Sequence, residues 1–282
     1  MKLASYFTSC GASFGAVEGG GLIDLRARLG RAYPDLKSLL VGDGLDAAQR
    51  VLRGAVADFR LDEVVYLPVV PNPGKIVCVG LNYEEHRLEG NRPKTVDPAL
   101  FLRLPESQTG HLRPLVRPAE SVQFDYEGEI ALVVGRRGRR IPEARAYEYV
   151  AGYSCYNDGS VRDWQLATSQ WTPGKNFPST GAFGPWLALP DELPADATLE
   201  IVTRLNGQEV QRATTDMMIF SIPKLISFIS SFTTLEPGDV IVTGTPGGVG
   251  MRRDPPLFMK EGDSVEVEVR GVGTLVNTVA SG

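Results

Sequence analysis

From Lys75 onward the chain is divided into short segments rich in Val, Ile and Thr, and this pattern restricts the possible folds most strongly. Examples are KIVCVGL from Lys75, EIALVVG from Glu129 and DVIVTGT from Asp239. β-Branched residues favour strands, and turn-forming residues rather than long helical repeats separate these segments. The LNG sequence at 205–207 is typical of a tight hairpin. The sequence therefore predicts a β-dominated α+β domain and not a repeating βαβ fold.

The first part of the chain differs from the rest. Residues 2–25 have the pattern of three short strands, and residues 34–58 have a partly helical one. LPVVPNPGK then places three prolines in nine residues, which is typical of a linker. We therefore predict a small N-terminal domain at 1–70 and a catalytic domain at 71–282. Further helices are expected at about 82–90, 142–148, 160–168 and 220–231.

Composition excludes several classes of protein. The chain has 29 Lys and Arg against 34 Asp and Glu, a net charge of −5, so no basic excess suggests nucleic acid or an anionic membrane as partner. No apolar stretch approaches the roughly 18 residues of a membrane span, and the N-terminus lacks a signal-peptide pattern. Three widely spaced cysteines predict no disulfide framework. The expected location is the cytoplasm.

The chain contains only two histidines, His86 and His111. A metal site built mainly from imidazole is therefore nearly excluded, and there is no HExxH motif. Any metal in this protein is expected to have mostly oxygen ligands.

The segment DYEGE places acids at alternating positions, at Asp125, Glu127 and Glu129. Alternate residues of a strand share a face, and like charges on one face repel each other. One interpretation is a solvated edge of a sheet. The apolar run that follows instead suggests a buried strand, in which a divalent cation would offset the repulsion.

The segment YNDGSVRDWQ offers a further carboxylate at Asp158. Ser160 and Asp163 have the spacing of a capping box, which predicts a helix start near Ser160. Arg162 and Gln165 would then share one helix face. Asp158 is equally consistent with an ordinary turn residue, and Arg162 with a surface ion pair.

Two other segments have candidate functional groups. His86 and Glu89 are three residues apart and would meet on a helical turn, where a carboxylate orients an imidazole and raises its basicity. A solvated helix explains the same pattern. The Gly-rich VTGTPGGVG is neither a phosphate-binding P-loop nor a dinucleotide fingerprint. It is either a plain tight loop or a site where Thr245 and backbone N–H groups bind a small anion.

Taken together and in order, several motifs strongly resemble the fumarylacetoacetate hydrolase family, and especially its smaller bacterial acylpyruvase-like members. The resemblance runs from about Lys75 to Val279. The motifs are GLNYEEH, DYEGEIALVVG, VAGYSCYNDGSVRDWQ, TPGKNF, GPW, RLNGQEVQ and LEPGDVIVTGTPGGVG.

The resemblance implies a mixed β-sandwich roll, usually a homodimer, with a Mg²⁺ or Mn²⁺ site. It implies three metal ligands, Glu127, Glu129 and Asp158, whereas Asp125 matches a family residue that is not a ligand. It implies three catalytic residues, His86, Glu89 and Lys175. It implies three substrate-binding residues, Arg162, Gln165 and Thr245.

The chain departs from the family at Gly159, Val161 and Arg103, where Val, Ala and Lys respectively are frequent. None of these changes removes a group that the metal needs, but they leave the choice of substrate open. The resemblance implies hydrolysis of a carbon–carbon bond in acylpyruvate-type 2,4-diketo acids, a reaction type of aromatic catabolism. The alternatives are a decarboxylase or isomerase of a dicarboxylic 2-oxo acid, such as oxaloacetate, or a metal- or ligand-binding module without catalysis.

Overall fold

A computed structural model of the chain describes residues 1–193 and 198–282. The strands are β1 (Lys2–Thr8), β2 (Gly11–Glu18), β3 (Gly21–Asp24), β4 (Phe59–Arg60), β5 (Val65–Tyr66), β6 (Ile76–Gly80), β7 (Ala99–Arg103), β8 (Gln108–Thr109), β9 (Leu115–Arg117), β10 (Phe124–Asp125), β11 (Gly128–Val134), β12 (Val150–Asn157), β13 (Ser160–Val161), β14 (Gly181–Ala188), β15 (Glu200–Leu205), β16 (Gln208–Thr214), β17 (Val240–Val242), β18 (Ser264–Val269) and β19 (Gly273–Ser281).

The α-helices are short, as predicted for this β-dominated chain. They are α1 (Leu25–Leu29), α2 (Leu36–Val41), α3 (Leu45–Leu52), α4 (Glu84–Glu89), α5 (Arg162–Gln165), α6 (Thr172–Lys175) and α7 (Ile222–Phe232). The 3₁₀ turns are Gly30–Ala32, Pro105–Ser107, Glu143–Tyr149, Pro190–Glu192, Thr215–Met217 and Gly250–Arg252. Among the described residues, no helix has the length and hydropathy of a membrane span.

The large sheet has twelve strands, with the main order β4-β3-β2-β1-β14-β12-β11-β17-β6-β7. β1 pairs with β14, so that Leu3 lies opposite Leu187, and the N-terminal strands extend the same sheet as the later ones. Val69 and Val70 of the predicted linker are buried in the core. Backbone pairing therefore crosses the boundary expected near residue 70, and the division into two domains stays a prediction.

A five-stranded sheet, β16-β15-β18-β19-β9, packs on the large sheet and forms the second layer of a mixed sandwich. β11 is buried on both faces, which explains its continuous apolar run. Ile130 and Leu132 pack between the two sheets, whereas Ala131 and Val133 pack on the side of the N-terminal helices. The α+β, strand-dominated fold predicted from the sequence is confirmed.

Local predictions were partly right. The hairpin turn between β15 and β16 is confirmed, with positive φ angles of 52° at Asn206 and 76° at Gly207, and helices occur near 82–90 and 220–231. The helix expected at about 160–168 is confirmed only in part. Ser160 lies in β13, and its hydroxyl donates to the Asp158 carbonyl at 2.7 Å instead of capping the helix. The helix therefore begins at Arg162 and is one turn long.

The buried environment of His111 predicts how the stability of the folded protein depends on pH. Its Nδ1 accepts a hydrogen bond from the Val276 N–H at 3.1 Å, so the ring must be neutral there, and burial lowers the pKa of His111 to about 4. Between pH 6.5 and 4 the unfolded chain therefore binds more protons, and stability falls as pH falls. We expect the wild type to lose about 2 kcal/mol more than His111→Asn between pH 7 and pH 5. Urea unfolding at both pH values measures this difference, and equal losses would contradict it.

Candidate active site

The acidic segment is interrupted where it reaches the site. β10 ends at Asp125 and β11 begins at Gly128, so the backbone between them belongs to neither strand. The predicted alternation nevertheless survives. A Cβ added at Gly128 would lie 1.9 Å from Thr203 Oγ1 in the five-stranded sheet, which leaves no room for a side chain on that face. Glu127 and Glu129 therefore project from the opposite face.

Three carboxylates form a compact buried group. Glu127, Glu129 and Asp158 each offer an oxygen, and these oxygens lie within 4.8 Å of one another. Their exposed fractions are 4%, 1% and 0%, so neither the solvated sheet edge nor an exposed turn describes them. Asp158 follows the end of β12, which pairs with β11 and brings the third acid beside the first two. Such a group of oxygens can hold a hard divalent cation.

Buried cations surround the group. Lys175 Nζ donates to Glu127 Oε2 and to Asp158 Oδ2, each at 2.7 Å. Arg162 Nη1 forms an ion pair with Glu127 Oε1 at 2.6 Å. Arg103, which is fully enclosed, bonds to the other oxygen of Asp158. Arg162 is thus part of the buried cluster and not a surface ion pair.

Asp125 has a different role from the other acids. Its Oδ1 accepts from the N–H groups of Gly250 and Tyr126 at 2.8 and 2.9 Å. Its Oδ2 accepts from Met251 N–H at 2.9 Å and from Arg162 Nε at 2.8 Å. With four donors its lone pairs are used, so Asp125 orients Arg162 and the 250–251 backbone and is not a metal ligand.

The electrostatics of the cluster fit a cation. Burial raises the pKa of Glu127, but the charges of Arg162 and Lys175 outweigh it and hold that pKa below its usual range. Burial and the charges of Asp158 and Glu127 raise the pKa of Glu129 well above its usual range. Glu129 Oε2 accepts from Gly244 N–H, and Oε1 has no partner among the described residues. With all four carboxylates ionised, as a bound cation would favour, the cluster has one more negative charge than its three cationic side chains offset.

The predicted pair of His86 and Glu89 forms on α4. His86 Nδ1 lies 2.8 Å from Glu89 Oε1, and the second oxygen of Glu89 accepts from Gly248 N–H at 2.9 Å. A carboxylate can only accept, so Nδ1 has the hydrogen and Nε2 is the basic nitrogen. His86 lines the same cavity as Glu127 and Glu129.

The predicted substrate-binding residues also line this cavity, namely Arg162, Gln165 and Thr245. Gln165 Oε1 accepts from Arg162 Nη1 at 2.9 Å. The Thr245 hydroxyl donates to the Gly128 carbonyl at 3.0 Å and accepts from Gln211 at 2.8 Å. This hydroxyl therefore fastens the Gly-rich loop to β11, and its contact with a substrate stays a prediction.

Sequence reasoning missed several residues of the site. Gln211 accepts from Gly128 N–H at 3.0 Å and so fixes the start of β11 as well as the loop. Its segment, RLNGQEVQ, had supported the family resemblance, but a buried amide in an exposed-looking hairpin has no signal of its own. Phe101 and Trp171 line the cavity with ring centroids 5.5 Å apart. They come from β7 and from the turn before α6, which only the fold brings together.

Comparison with known proteins agrees with this geometry. Residues 75–280 match the family model described as fumarylacetoacetate (FAA) hydrolase C-terminal. The human mitochondrial oxaloacetate tautomerase FAHD2A is 38% identical over 266 residues, which cover 93% of this chain and 84% of the relative.

Two solved structures are similar over all of this chain. The 2-hydroxyhepta-2,4-diene-1,7-dioate isomerase of Mycobacterium marinum has a TM-score of 0.76 and 30% identity, with 98% of its chain covered. The maleylpyruvate hydrolase of a Sphingobium species, in complex with manganese(II) and pyruvate, has a TM-score of 0.83 and 28% identity, with 100% covered. With most of its length matched by the family model, the chain belongs to the fumarylacetoacetate hydrolase family.

Proposed function

We propose that this protein is a Mg²⁺- or Mn²⁺-dependent hydrolase that cleaves a carbon–carbon bond in acylpyruvate-type 2,4-diketo acids, giving pyruvate and a carboxylic acid. The observation that supports it is that His86, which is paired with Glu89, lines the same cavity as Glu127 and Glu129 of the three-carboxylate group. A base beside a cation site is what hydrolysis of a chelating diketo acid requires.

The carboxylate group fits the metal. Glu127, Glu129 and Asp158 would hold it, and their buried excess of negative charge would be offset by a dication. When bound, Mg²⁺ or Mn²⁺ supplies Lewis-acid polarisation of a substrate oxygen. Mn²⁺ and pyruvate bound to the Sphingobium relative support this choice of cofactor and product.

The remaining residues have distinct tasks. His86 Nε2 would take a proton from the attacking water, while Glu89 keeps the ring in the required tautomer and stabilises its protonated form. Lys175 has its ammonium in the centre of the cluster, where it would neutralise developing negative charge or return a proton. Arg162 and Gln165 would position the carboxyl end of the substrate.

A second candidate is tautomerisation or decarboxylation of a dicarboxylic 2-oxo acid such as oxaloacetate. This candidate is favoured by the 38% identity with an oxaloacetate tautomerase. In this reaction His86 would move a proton at C3 of the substrate. A binding module without catalysis would need no base, and the paired His86 and Glu89 argue against it.

One set of measurements separates these functions. With Mg²⁺ saturating, we would follow acetylpyruvate cleavage, oxaloacetate keto–enol exchange, oxaloacetate decarboxylation and deuterium exchange at C3 of pyruvate. Rapid acetylpyruvate cleavage supports the hydrolase. Fast keto–enol exchange of oxaloacetate without cleavage of acetylpyruvate would contradict the hydrolase function and support the second candidate. If the protein accelerates none of these four reactions, the binding module without catalysis is the function that remains.

We also predict that residues 82–95 close over the cavity as a lid. α4 has no buried residue, and Leu88 is 59% exposed. Among the described residues, the hydrogen bond that connects α4 to the Gly-rich loop runs from Gly248 N–H to Glu89. Water exclusion would require closure, so hydrogen exchange in this segment should slow on addition of oxalate with Mg²⁺. The buried helix α7 is the internal control, and unchanged exchange in 82–95 would contradict the lid.

A homodimer and a cytoplasmic location are part of the same proposal. Both come from the family resemblance and the composition. Light scattering of the purified protein measures the first, and a mass of one chain would contradict it.

A further inference from the structure

Asn82 is a fully buried amide at the start of the segment that contains His86 and Glu89. It lies between the end of β6 and the start of α4, and none of its surface is exposed. The residue before it, Leu81, has a positive φ of 59°, a conformation that is uncommon for a large side chain. A turn of this kind persists only when the surrounding structure holds it in place.

The contacts of Asn82 hold this turn. Its Nδ2 donates to the carbonyls of Phe220 and Thr243, at 3.1 and 2.8 Å, and its Oδ1 accepts from Phe220 N–H at 2.8 Å. The Asn82 carbonyl accepts from Ile219 N–H at 2.8 Å. Asn82 therefore fastens the start of α4 to two segments that are distant in sequence, 219–220 and the end of β17.

The bond to Thr243 leads directly to the three-carboxylate group. The Thr243 carbonyl and the Gly244 N–H belong to one peptide unit, which is planar and stiff. Asn82 donates to that carbonyl, and that N–H donates to Glu129 Oε2. Gly244 has a φ of 100°, and a Cβ there would lie 2.7 Å from Asn82 Cβ, so this approach requires glycine. One rigid peptide unit thus connects Asn82 to a candidate metal ligand.

The other end of α4 is held by the same loop. Glu89, which pairs with His86, accepts from Gly248 N–H at 2.9 Å. His86 therefore lies between two attachments to the Gly-rich loop, and that loop also bonds to Glu129. Asn82 is the first residue of the 82–95 segment, so the far end of this segment can move while the bonds of Asn82 stay in place.

We propose that Asn82 is a positioning residue, which sets the distance between the His86 imidazole and a metal held by the three carboxylates. The inference rests on the proposed function, from which it takes the metal site and the role of His86 as base. Asn82 itself contacts no reacting atom. It acts through the Thr243–Gly244 peptide on one side and through the start of α4 on the other.

A distance measurement tests this role without any substrate. The chain has only two histidines, so NMR gives two imidazole Hε1 signals, which His86→Ala assigns. Trace Mn²⁺ in the Mg²⁺-loaded protein broadens a signal with the inverse sixth power of its distance from the metal. At equal Mn²⁺ occupancy, broadening of the His86 signal should fall severalfold in Asn82→Ala. Broadening of the His111 signal should stay at its wild-type value, because His111 is absent from the cavity lining.

Asn82→Asp is the second variant. It has the size of the wild-type side chain and keeps an acceptor for Phe220 N–H, but it removes both donations to carbonyls. Broadening of the His86 signal should therefore also fall in Asn82→Asp.

A double-mutant cycle tests whether Asn82 acts through His86. With metal saturating, each Asn82 variant should lower kcat for acetylpyruvate by about 10- to 100-fold, the usual cost of removing an outer contact of a metal site. KM should change much less, because Asn82 does not touch the substrate. Residues that act through one another are not additive, so adding Asn82→Ala to His86→Ala should lower kcat no further. A full further loss would overturn the proposal.

Asn277→Ala is the matched control. Asn277 lies in β19, is 1% exposed, and its Nδ2 also donates to two carbonyls, those of Gly110 and Arg113, at 2.9 and 2.7 Å. It does not line the cavity. Both Asn→Ala changes should lower the free energy of unfolding, but Asn277→Ala should keep the wild-type kcat and the wild-type broadening of the His86 signal. Equal losses in the two variants would show a general effect and overturn the positioning role.

The remaining outcomes are distinct. Unchanged broadening in folded Asn82 variants overturns the positioning role and leaves the proposed function standing. Failure of both Asn82 variants to fold would make Asn82 a structural residue and also overturn it. If the wild type does not cleave acetylpyruvate but broadening falls in the variants, the proposed hydrolase function is wrong and the positioning role stands. If Mn²⁺ does not broaden the His86 signal of the wild type, both are wrong.

Discussion

Glu129→Gln is expected to weaken Mg²⁺ and Mn²⁺ binding by at least about a hundredfold, and at the same time to leave the metal-free protein as stable as the wild type or more stable. Even changes beside a ligand cost about 10- to 100-fold in metal affinity, and this one removes a ligand charge. Isothermal titration with each metal measures the first effect. Thermal unfolding with and without metal measures the second.

The expected gain in metal-free stability follows from the electrostatics of the cluster. Burial and neighbouring carboxylates raise the pKa of Glu129, so its charged form is unfavourable without a cation. A Gln has the same size and still offers an oxygen to Gly244 N–H. The substitution therefore removes repulsion without opening a cavity or breaking that contact.

Glu143→Gln is the matched control. Glu143 is exposed and lies 3.6 Å from Lys224, away from the cavity, so metal affinity should stay at the wild-type value. Unchanged metal affinity in Glu129→Gln would show that the cation does not bind at the three carboxylates. A large loss of metal-free stability would show that Glu129 is instead a structural residue.

Local sequence patterns predicted much of this fold because they depend on interactions between residues that are close in sequence. The apolar run after Glu129 required a strand buried on both faces, and the structure places it between two layers. Asn206 and Gly207 required a tight hairpin because both adopt positive φ. The capping-box spacing at Ser160 failed because the Asp158 carbonyl, two residues away, competes for the same hydroxyl.

The site was less accessible to sequence reasoning, because its charge balance depends on contacts distant in sequence. Arg103 was visible only as a departure from the family, yet it bonds to Asp158, 55 residues away. Gln211 is 83 residues from the Gly128 N–H that it fixes. Neither residue type has a spacing rule that marks such contacts, so only the pairing of β7, β11 and β16 within the sheets reveals them.

The largest kinetic effect is expected from His86→Ala, which should lower kcat for acylpyruvate hydrolysis by about 10²- to 10⁴-fold, the usual contribution of a general base. Metal affinity should survive, because His86 is outside the group of three carboxylates. Oxaloacetate tautomerisation, if present, should fall as well, since it also needs a proton moved at C3. The measurement is kcat for each reaction with metal saturating.

Two further variants test whether the loss of kcat is specific to the His86–Glu89 pair. Glu89→Gln keeps an oxygen beside His86 Nδ1 but loses the charge that stabilises the protonated ring, so its loss should be smaller than that of His86→Ala. His111→Asn changes the other histidine, which packs against Tyr66 with ring centroids 5.0 Å apart and is absent from the cavity lining. At pH 7.5 it should keep wild-type kcat.

Decarboxylation of oxaloacetate distinguishes proton transfer from a general loss of the site. In that reaction CO₂ leaves without attack by water, so no base has to accept a proton in the bond-breaking step. Its rate in His86→Ala should therefore fall much less than hydrolysis. Equal losses in both reactions would mean that His86 acts in binding or in closure of the 82–95 segment. Fast decarboxylation by a wild type that cannot cleave acetylpyruvate would mean instead that the protein is a decarboxylase of dicarboxylic 2-oxo acids, and the proposed hydrolase function would be wrong.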